Sequence, residues 1–276
     1  MKFLRVSEIL QKDIRKLTID KNQRLTDALN IMDKYNLSML LCVNNEKLVG
    51  MITERDIADR LGSSRAKQLT PSRIHVSGVM TYNPKVVSDI SVEEAAELMD
   101  RYKVSGLPVV VDNELIGFIS QNELITLCTK FTTISIKDMI SKVKVEVSPD
   151  DRLIHARKLM FENKFGSLLV TENGKVVGVV SEGSLARAFA NFRETVPARH
   201  QEERIRYLLV RDAMKPLDEY LTLKSTVADA AKMMLEKGVR ALPVLNDEGK
   251  LIGIITKGDL TRFVARGFKV IKEENS

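Results

Sequence analysis

Tryptophan is absent from the 276 residues and aromatics make up only 5%, so stacked rings for holding bases are not expected to be the main device of this chain. Two cysteines, Cys42 and Cys128, cannot build a disulfide framework and read as buried free thiols. The three histidines, His75, His155 and His200, are scattered, and none is spaced with Cys, Asp or Glu as a zinc or metalloprotease site requires. No apolar run approaches the roughly 18 residues of a membrane span. Residues 1–13, with Lys2, Arg5, Glu8, Lys12 and Asp13, do not read as a signal peptide, so a soluble cytoplasmic protein without membrane partners is expected. There is no glycine-rich phosphate loop and no Gly-x-Ser-x-Gly nucleophile, which argues against an enzyme.

What the chain has instead is repetition. Gly50-Met-Ile-Thr-Glu-Arg-Asp-Ile57 returns as Gly117-Phe-Ile-Ser-Gln-Asn-Glu-Leu124, Gly178-Val-Val-Ser-Glu-Gly-Ser-Leu185 and Gly253-Ile-Ile-Thr-Lys-Gly-Asp-Leu260. Each copy reads as the end of a short strand, a hydroxyl, two variable positions, a polar side chain and the start of a helix. Ala28, Ala95, Ala156 and Ala230 precede these glycines by 22, 22, 22 and 23 residues, and Met32, Met99, Met160 and Met234 follow the alanines by four. Apolar runs then open at Leu37, Val104, Phe165 and Val239, so the unit is strand, helix, strand, turn, strand, helix. Glycine-to-glycine steps of 67, 61 and 75 residues are too uneven for a solenoid and point to discrete small domains.

The expected repeats span 14–64, 75–130, 135–192 and 210–266. Residues 1–13 suit a short amphipathic helix lying across the first repeat. Ser91-Val-Glu-Glu94 suits a capping box, Glu172-Asn-Gly174 a tight hairpin, and residues 62–74 a polar linker broken by Gly62, Ser63, Ser64 and Pro71. The Arg- and Glu-rich stretch 193–209 reads as an exposed, partly helical crossover, and Lys269 to Ser276 as a polar tail.

Four registered copies over nearly the whole chain, the Ala and Met of the first helix, the Asp-Ile or Asp-Leu ending and the Leu-Pro-Val strands resemble the CBS domain, the module first described in cystathionine β-synthase. The resemblance implies an α/β (α+β) fold of four β-α-β-β-α repeats, packed as two pseudo-two-fold pairs in a disc, similar in plan to the gamma subunit of AMP-activated protein kinase. It also implies that adenine is held by the segments leading into each first strand (Leu17 to Ile19, Tyr220 to Leu223) and by the strands carrying Met39 and Ala241.

The residues argue the same chemistry. A Thr ending a strand and an Asp in the next helical turn point into one mouth, where a carboxylate can accept both hydroxyls of a ribose and the helix N-terminus favours phosphate. The competing reading is a helix cap, and a single copy would be read that way. Caps favour the longer Glu, because Asp reaches back less well, so the short acids at Asp56 and Asp259 are expected to serve a ligand. Thr53 with Asp56 and Thr256 with Asp259 are the intact ribose sites; Ser120 is kept beside Glu123, one methylene too long, and Ser181 with Ser184 offers no charge. Arg55, Lys257 and Arg240 are the candidate phosphate cations, set against the alternative that each is a solvated charge.

The expected function is a regulatory, energy-sensing protein that binds AMP, ADP or ATP between paired repeats, with no catalytic cofactor, and so alters the surface seen by an unidentified protein partner. Homodimerisation stays open. Two alternatives remain: a binder of S-adenosylmethionine or methylthioadenosine, and a nucleic-acid-binding or scaffold protein using the basic surface implied by a net charge of +6. Charges of both signs alternate along the chain, which favours an ordinary solvated surface.

Overall fold

The computed structural model describes residues 4–63, 70–112, 114–142 and 145–268. The polar tail from Lys269 and residues 64–69 of the expected linker lie outside the described residues. The chain opens with two short helices, α1 (Val6–Ile9) and α2 (Ile14–Leu17), and the first repeat follows as β1 (Thr18–Asp20), α3 (Leu25–Tyr35), β2 (Met39–Asn44), β3 (Lys47–Thr53) and α4 (Glu54–Gly62). After a short strand β4 (Thr81–Tyr82), the second repeat has α5 (Val92–Tyr102), β5 (Gly106–Val111), β6 (Glu114–Ser120) and α6 (Gln121–Cys128), its first strand reduced to a parallel bridge between Val87 and Val109. The third comprises β7 (Glu146–Val147), α7 (Leu153–Glu162), β8 (Ser167–Glu172), β9 (Lys175–Ser181) and α8 (Glu182–Thr195), followed by α9 (Ala198–Arg204) and β10 (Lys215–Pro216). The fourth comprises β11 (Leu221–Thr222), α10 (Val227–Lys237), β12 (Ala241–Leu245), β13 (Leu251–Thr256) and α11 (Lys257–Ala265).

The local rules explain these elements. Helix α3 buries Leu25, Ala28, Leu29 and Met32 on one stripe, and its chain turns off at Asn36 in the left-handed region, φ 53°. The middle strands are covered on both faces, so Leu40, Leu41 and Cys42 of β2 are all buried and the run reads as continuous apolar sequence. The hairpin between β8 and β9 turns through Asn173 and Gly174, φ 51° and 74°, as their left-handed tolerance allows. At α5 only the Ser91 half of the expected capping box is seen, Ser91 Oγ accepting from the Glu94 amide at 3.2 Å.

Each repeat pairs its second and third strands antiparallel, with a bulge next to the residue opposite the repeated glycine: Cys42 faces Gly50, Val109 faces Gly117, Val170 faces Gly178 and Val244 faces Gly253. The outer edge of every third strand is then closed by a segment from elsewhere in the chain. Thr81 pairs with Met51, Gln11 with Phe118, Lys215 with Val179 and Ser141 with Ile254, each partner being the residue after the repeated glycine. This explains the glycine: a Cβ at Gly50 would stand 2.8 Å from the Thr81 carbonyl oxygen, and one at Gly253 would stand 2.8 Å from that of Ser141.

The closing segments are themselves a repeat that the glycine register does not reveal: Val6-Ser-Glu-Ile-Leu10, Val76-Ser-Gly-Val-Met80, Ile136-Lys-Asp-Met-Ile140 and Val210-Arg-Asp-Ala-Met214. Their exchange is reciprocal, because the segment before the first repeat closes the second and the segment before the second closes the first. The same holds for the third and fourth. The expected placement of residues 1–13 on the first repeat is thereby corrected, since the amide of Val6 donates to Ile90 and Gln11 exchanges both backbone bonds with Phe118. The open edge of β6 sets that choice, the edge of β3 being already taken by β4.

The chain divides into two compact units, one holding the first and third repeats, the other holding the second and fourth with residues from 4 to 14. In the first-and-third unit, α4 packs along α8, and Ile57, Ala58, Leu61, Leu185, Ala186 and Phe189 are fully buried. Within it the expectation of an exposed 193–209 crossover fails at Arg193, which is 3% exposed. Its guanidinium donates to the Leu61 carbonyl (2.8 Å) and the Ser63 carbonyl (2.9 Å), where the end of α4 presents negative partial charge, and to Gln201 Oε1 (3.0 Å). Gly62, read as a linker breaker, instead ends α4, and a Cβ there would meet Phe189 at 2.7 Å. In the second-and-fourth unit, α11 packs on α5 and α6, and Phe131, Phe263 and Phe268 cluster at its end, with ring centroids 5.0 to 5.9 Å apart.

Candidate functional site

The four repeated motifs occupy the same place in their repeats, with the hydroxyl residue ending the third strand and capping the following helix. The amide after each hydroxyl residue also donates across to the residue before the second strand: Glu54 to Ser38 (3.0 Å), Gln121 to Ser105 (2.9 Å), Glu182 to Gly166 (3.2 Å) and Lys257 to Arg240 (2.9 Å). That bond holds the helix start against the sheet. Met39 lies directly across from Thr53 in the strand register and Ala241 from Thr256, both buried, so the positions implied for adenine contact flank the motif hydroxyls.

The short acids do reach back. Asp56 Oδ2 accepts from the Thr53 amide (2.8 Å) and hydroxyl (2.7 Å), while Thr53 Oγ1 accepts from the Asp56 amide (3.1 Å). Asp259 Oδ2 accepts from the Thr256 amide (2.7 Å) and hydroxyl (2.5 Å). Glu123 closes the same ring on Ser120 (2.8 and 2.6 Å), and Ser184 Oγ accepts from the Ser181 amide (2.9 Å). Thr226 and Asp229, far from any motif, form an equal ring at the exposed start of α10. The expectation that Asp reaches back less well than Glu is therefore corrected: a helix N-terminus brings the third residue's carboxylate within reach whether the stem has one methylene or two. Cap formation uses one carboxylate oxygen, and the mouths are distinguished by the other.

At Asp56, no donor among the described residues reaches Oδ1. Burial pushes its carboxyl above the usual carboxylate range, and the hydrogen bonds from Thr53 and the charge of Arg55 pull it back only in part. Its negative charge is felt next door, where burial and then Asp56 drive the Cys42 thiol up to about 12. At Asp259, only 3% exposed, Oδ1 is taken by the Arg262 guanidinium and by Ser141 Oγ at 3.4 Å. At Glu123, Oε1 accepts from Gln11 Nε2 at 2.7 Å. At Ser184 the hydroxyl donates to the Ser181 carbonyl at 3.0 Å. The two motifs that are equivalent in sequence thus differ in structure.

The variable positions are also not what the sequence suggested. Arg55 is half-buried and paired within the protein: Nε donates to Glu182 Oε1 (2.6 Å), Nη2 to the Phe165 carbonyl (2.9 Å), and the guanidinium lies 4.7 Å over the Phe161 ring. Lys257, 9% exposed, donates to Asn122 Oδ1 at 2.6 Å. In both cases the side chain ties one motif to the variable position of another in the same unit. Arg187 completes the first set, donating to Glu54 Oε1 (2.7 Å) and Asp33 Oδ1 (2.6 Å), and Arg262 reaches Asp100 Oδ1 (3.3 Å) in the second. These clasps were not singled out from the sequence, which carries no sign of which repeats share a unit. Arg240 precedes β12, half-buried, its carbonyl serving Lys257.

Of the segments implied for adenine, Leu17 and Ile19 turn their side chains into the core (3% and 2% exposed), whereas Tyr220 and Leu223 are 52% and 41% exposed. Among the described residues no group of three or more His, Cys, Asp or Glu could hold a metal ion, and no helix is long and apolar enough to cross a membrane.

Comparison with known proteins places this geometry. The family model described as the CBS domain matches residues 6–63, 76–130, 136–191 and 210–266. Protein MJ1225 of Methanocaldococcus jannaschii is 25% identical over 290 residues, covering 95% of this chain and all of its own. Its crystal structure, described as that of a candidate archaeal homolog of g-AMPK, superposes with a TM-score of 0.82 at 26% identity, over 95% of this chain and 100% of that one. A 33.4 kDa protein from a ribosomal RNA operon of Thermofilum pendens is 27% identical over 98% of this chain and 96% of its own length. A conserved protein of Pyrococcus horikoshii shares the fold, with a TM-score of 0.63 at 21% identity over 95% of this chain and 100% of that one.

Proposed function

The chain belongs to the CBS domain family, and from that premise we propose that it is a regulatory protein that binds an adenine nucleotide, without catalysing a reaction on it. The observation that carries the reading is Asp56 Oδ1, an acceptor left without a donor on a carboxyl whose ionised form burial disfavours. Ribose hydroxyls donating there would stabilise that charge, and charge-assisted hydrogen bonds contribute about 1.5 to 3 kcal/mol where neutral ones contribute about 1. Thr53 holds the carboxylate in place through its amide and hydroxyl, and Met39 offers an apolar wall opposite. The likeness over its full length to MJ1225, described as a candidate archaeal homolog of g-AMPK, supports a regulatory role.

Ligand binding becomes regulation only through differential affinity for two states of the protein. Arg55 is the residue placed to convert one into the other, because it adjoins Asp56 in sequence and is bonded to Glu182 of the third repeat. The partner that responds is a protein, contacted through surfaces that this coupling shifts.

A second reading, the sulfonium nucleoside S-adenosylmethionine or its neutral thioether product methylthioadenosine, is favoured by one observation. Arg55 and Lys257, two of the cations expected for phosphate, are committed to Glu182 and Asn122. Calorimetric competition between AMP and S-adenosylmethionine separates the two readings, AMP prevailing under the first. Nucleoside binding that survives Asp56→Asn unchanged removes the site assignment from both.

A further inference from the structure

Equivalent motifs differ in what their own chain has placed against them. Asp259 meets Arg262, six residues after the motif hydroxyl on α11, and Ser141, the residue of the closing segment that pairs with β13. Arg262 is aimed by a second carboxylate, Asp100 of α5, at 3.3 Å. In the first repeat the residue six after Thr53 is Asp59, which is exposed and paired with Arg157, and the equivalent closing residue, Thr81, makes no bond to Asp56 among the described residues. Arg187 holds the corresponding position in the third repeat, where the motif ends in uncharged Ser184, and it turns to Asp33 and Glu54. In the second repeat the closing residue Gln11 donates to Glu123.

A carboxylate has roughly four acceptor positions. Two on Asp259 serve the cap, and a guanidinium and a hydroxyl take the other oxygen. A ribose arriving there would have to displace a charge-assisted bond whose acceptor is buried, whereas at Asp56 it displaces no protein donor. We propose that Arg262, with Ser141, is an internal occupant of the fourth repeat's motif, so that the ligand-free chain offers one nucleoside site, at Asp56, and holds a latent second one at Asp259. Gln11 closes the second repeat in the same way. Among motifs that keep a carboxylate, site number is set by the side chain six residues after the motif hydroxyl and by the closing segment.

This inference rests on the nucleoside reading above, and the test keeps the two apart. Titration calorimetry of the full chain with adenosine reads the ribose carboxylates without a phosphate that Arg262 could attract. The wild type is expected to bind one equivalent, Asp56→Asn to bind it roughly 30-fold more weakly, and Arg262→Gln to bind two, of which one keeps its affinity in Asp56→Asn/Arg262→Gln. Ser141→Ala/Arg262→Gln should give the same count of two, and thermal unfolding checks that each variant is folded. Should Arg262→Gln melt early, Arg262→Lys, which keeps the charge but loses the paired geometry, should tighten the second site at least tenfold relative to wild type. A single site weakened in Asp56→Asn and a count unchanged by either Arg262 variant overturns the inference and leaves the nucleoside reading standing. Two equivalents on the wild type, one weakened in Asp259→Asn, also overturns it. No adenosine or AMP bound by any of these chains overturns both.

Discussion

Replacing Asp56 by asparagine separates its role as a cap from its role as a charge. The amide oxygen of Asn can still accept from the Thr53 amide and hydroxyl, so the ring seen at 2.8 and 2.7 Å survives. What disappears is a carboxyl held above its usual range by burial. Because its folded value is raised, Asp56 contributes stability at pH below its unfolded value, and that contribution is lost as the pH rises through the folded value. At neutral pH the ionised side chain is therefore a burden on the ligand-free protein. Losing attraction to the start of α4 costs about 0.3 to 1 kcal/mol, set against relief from desolvation, so ligand-free stability should move by less than about 1 kcal/mol. Binding should suffer far more. Two ribose bonds that change from charge-assisted to neutral lose about 1 kcal/mol each, together about 2 kcal/mol or roughly 30-fold in Kd. At a ligand concentration near 100 Kd of the wild type, ligand stabilisation falls from about 2.7 to about 0.9 kcal/mol. Differential scanning calorimetry with and without AMP reads both quantities at once. A variant that keeps the full ligand-induced rise would show that the charge of Asp56 plays no part in binding.

Other outcomes follow from the same geometry. Arg55→Ala should destabilise by about 2 kcal/mol, since it removes an ion pair whose Glu182 side chain is 8% exposed, and a double-mutant cycle with Glu182→Gln in urea should return a coupling of about 1 to 2 kcal/mol. Gly50→Ala should cost about 1 to 3 kcal/mol by urea unfolding, because the new methyl meets the Thr81 carbonyl at 2.8 Å, whereas Gly174→Ala at a hairpin tip, with nothing within 4 Å, should cost only the strain of its positive φ. Asp89 ties down the first closing segment by accepting from the Ser7 amide at 3.0 Å. Desolvation acts to raise its carboxyl, but the Ser7 bonds and Arg5 outweigh it and hold it below the usual range. That tether is present above the unfolded value and is lost as the pH falls through the lowered one, so protection of the Ser7 amide, corrected for intrinsic exchange, should drop in acid below the usual carboxylate range and in Asp89→Asn at neutral pH.

The repeat architecture was legible because its determinants are local and recur. Alanine and methionine four apart put two small or flexible side chains on one buried helix face, and the glycine marks where two backbones meet. What stayed hidden depends on segments remote in sequence. Thr53/Asp56 and Thr256/Asp259 read identically, and only the placement of Ser141 and Arg262 makes them different. Arg55 and Lys257 look like solvated or phosphate-binding charges until the first repeat is found in one unit with the third and the second with the fourth. The helix at Val6–Ile9 was recognisable from its apolar positions, but its destination was fixed by an unoccupied strand edge on the second repeat. The closing segments could have been found, since a Val or Ile opens each of them 41 to 44 residues before the repeated glycine, but their similarity is too short and their spacing too uneven to stand out beside the glycine motif.

Reciprocal closure of strand edges has a bearing on how this chain can be divided. A fragment that starts at residue 14 would leave β6 with a bare row of amides and carbonyls, a template for neighbouring molecules and hence for aggregation. One that ends before residue 76 would do the same to β3. The smallest piece in which both borrowed strands stay at home is therefore a consecutive couple, the first with the second or the third with the fourth, and a gene duplication could have copied such a couple whole but not one member of it.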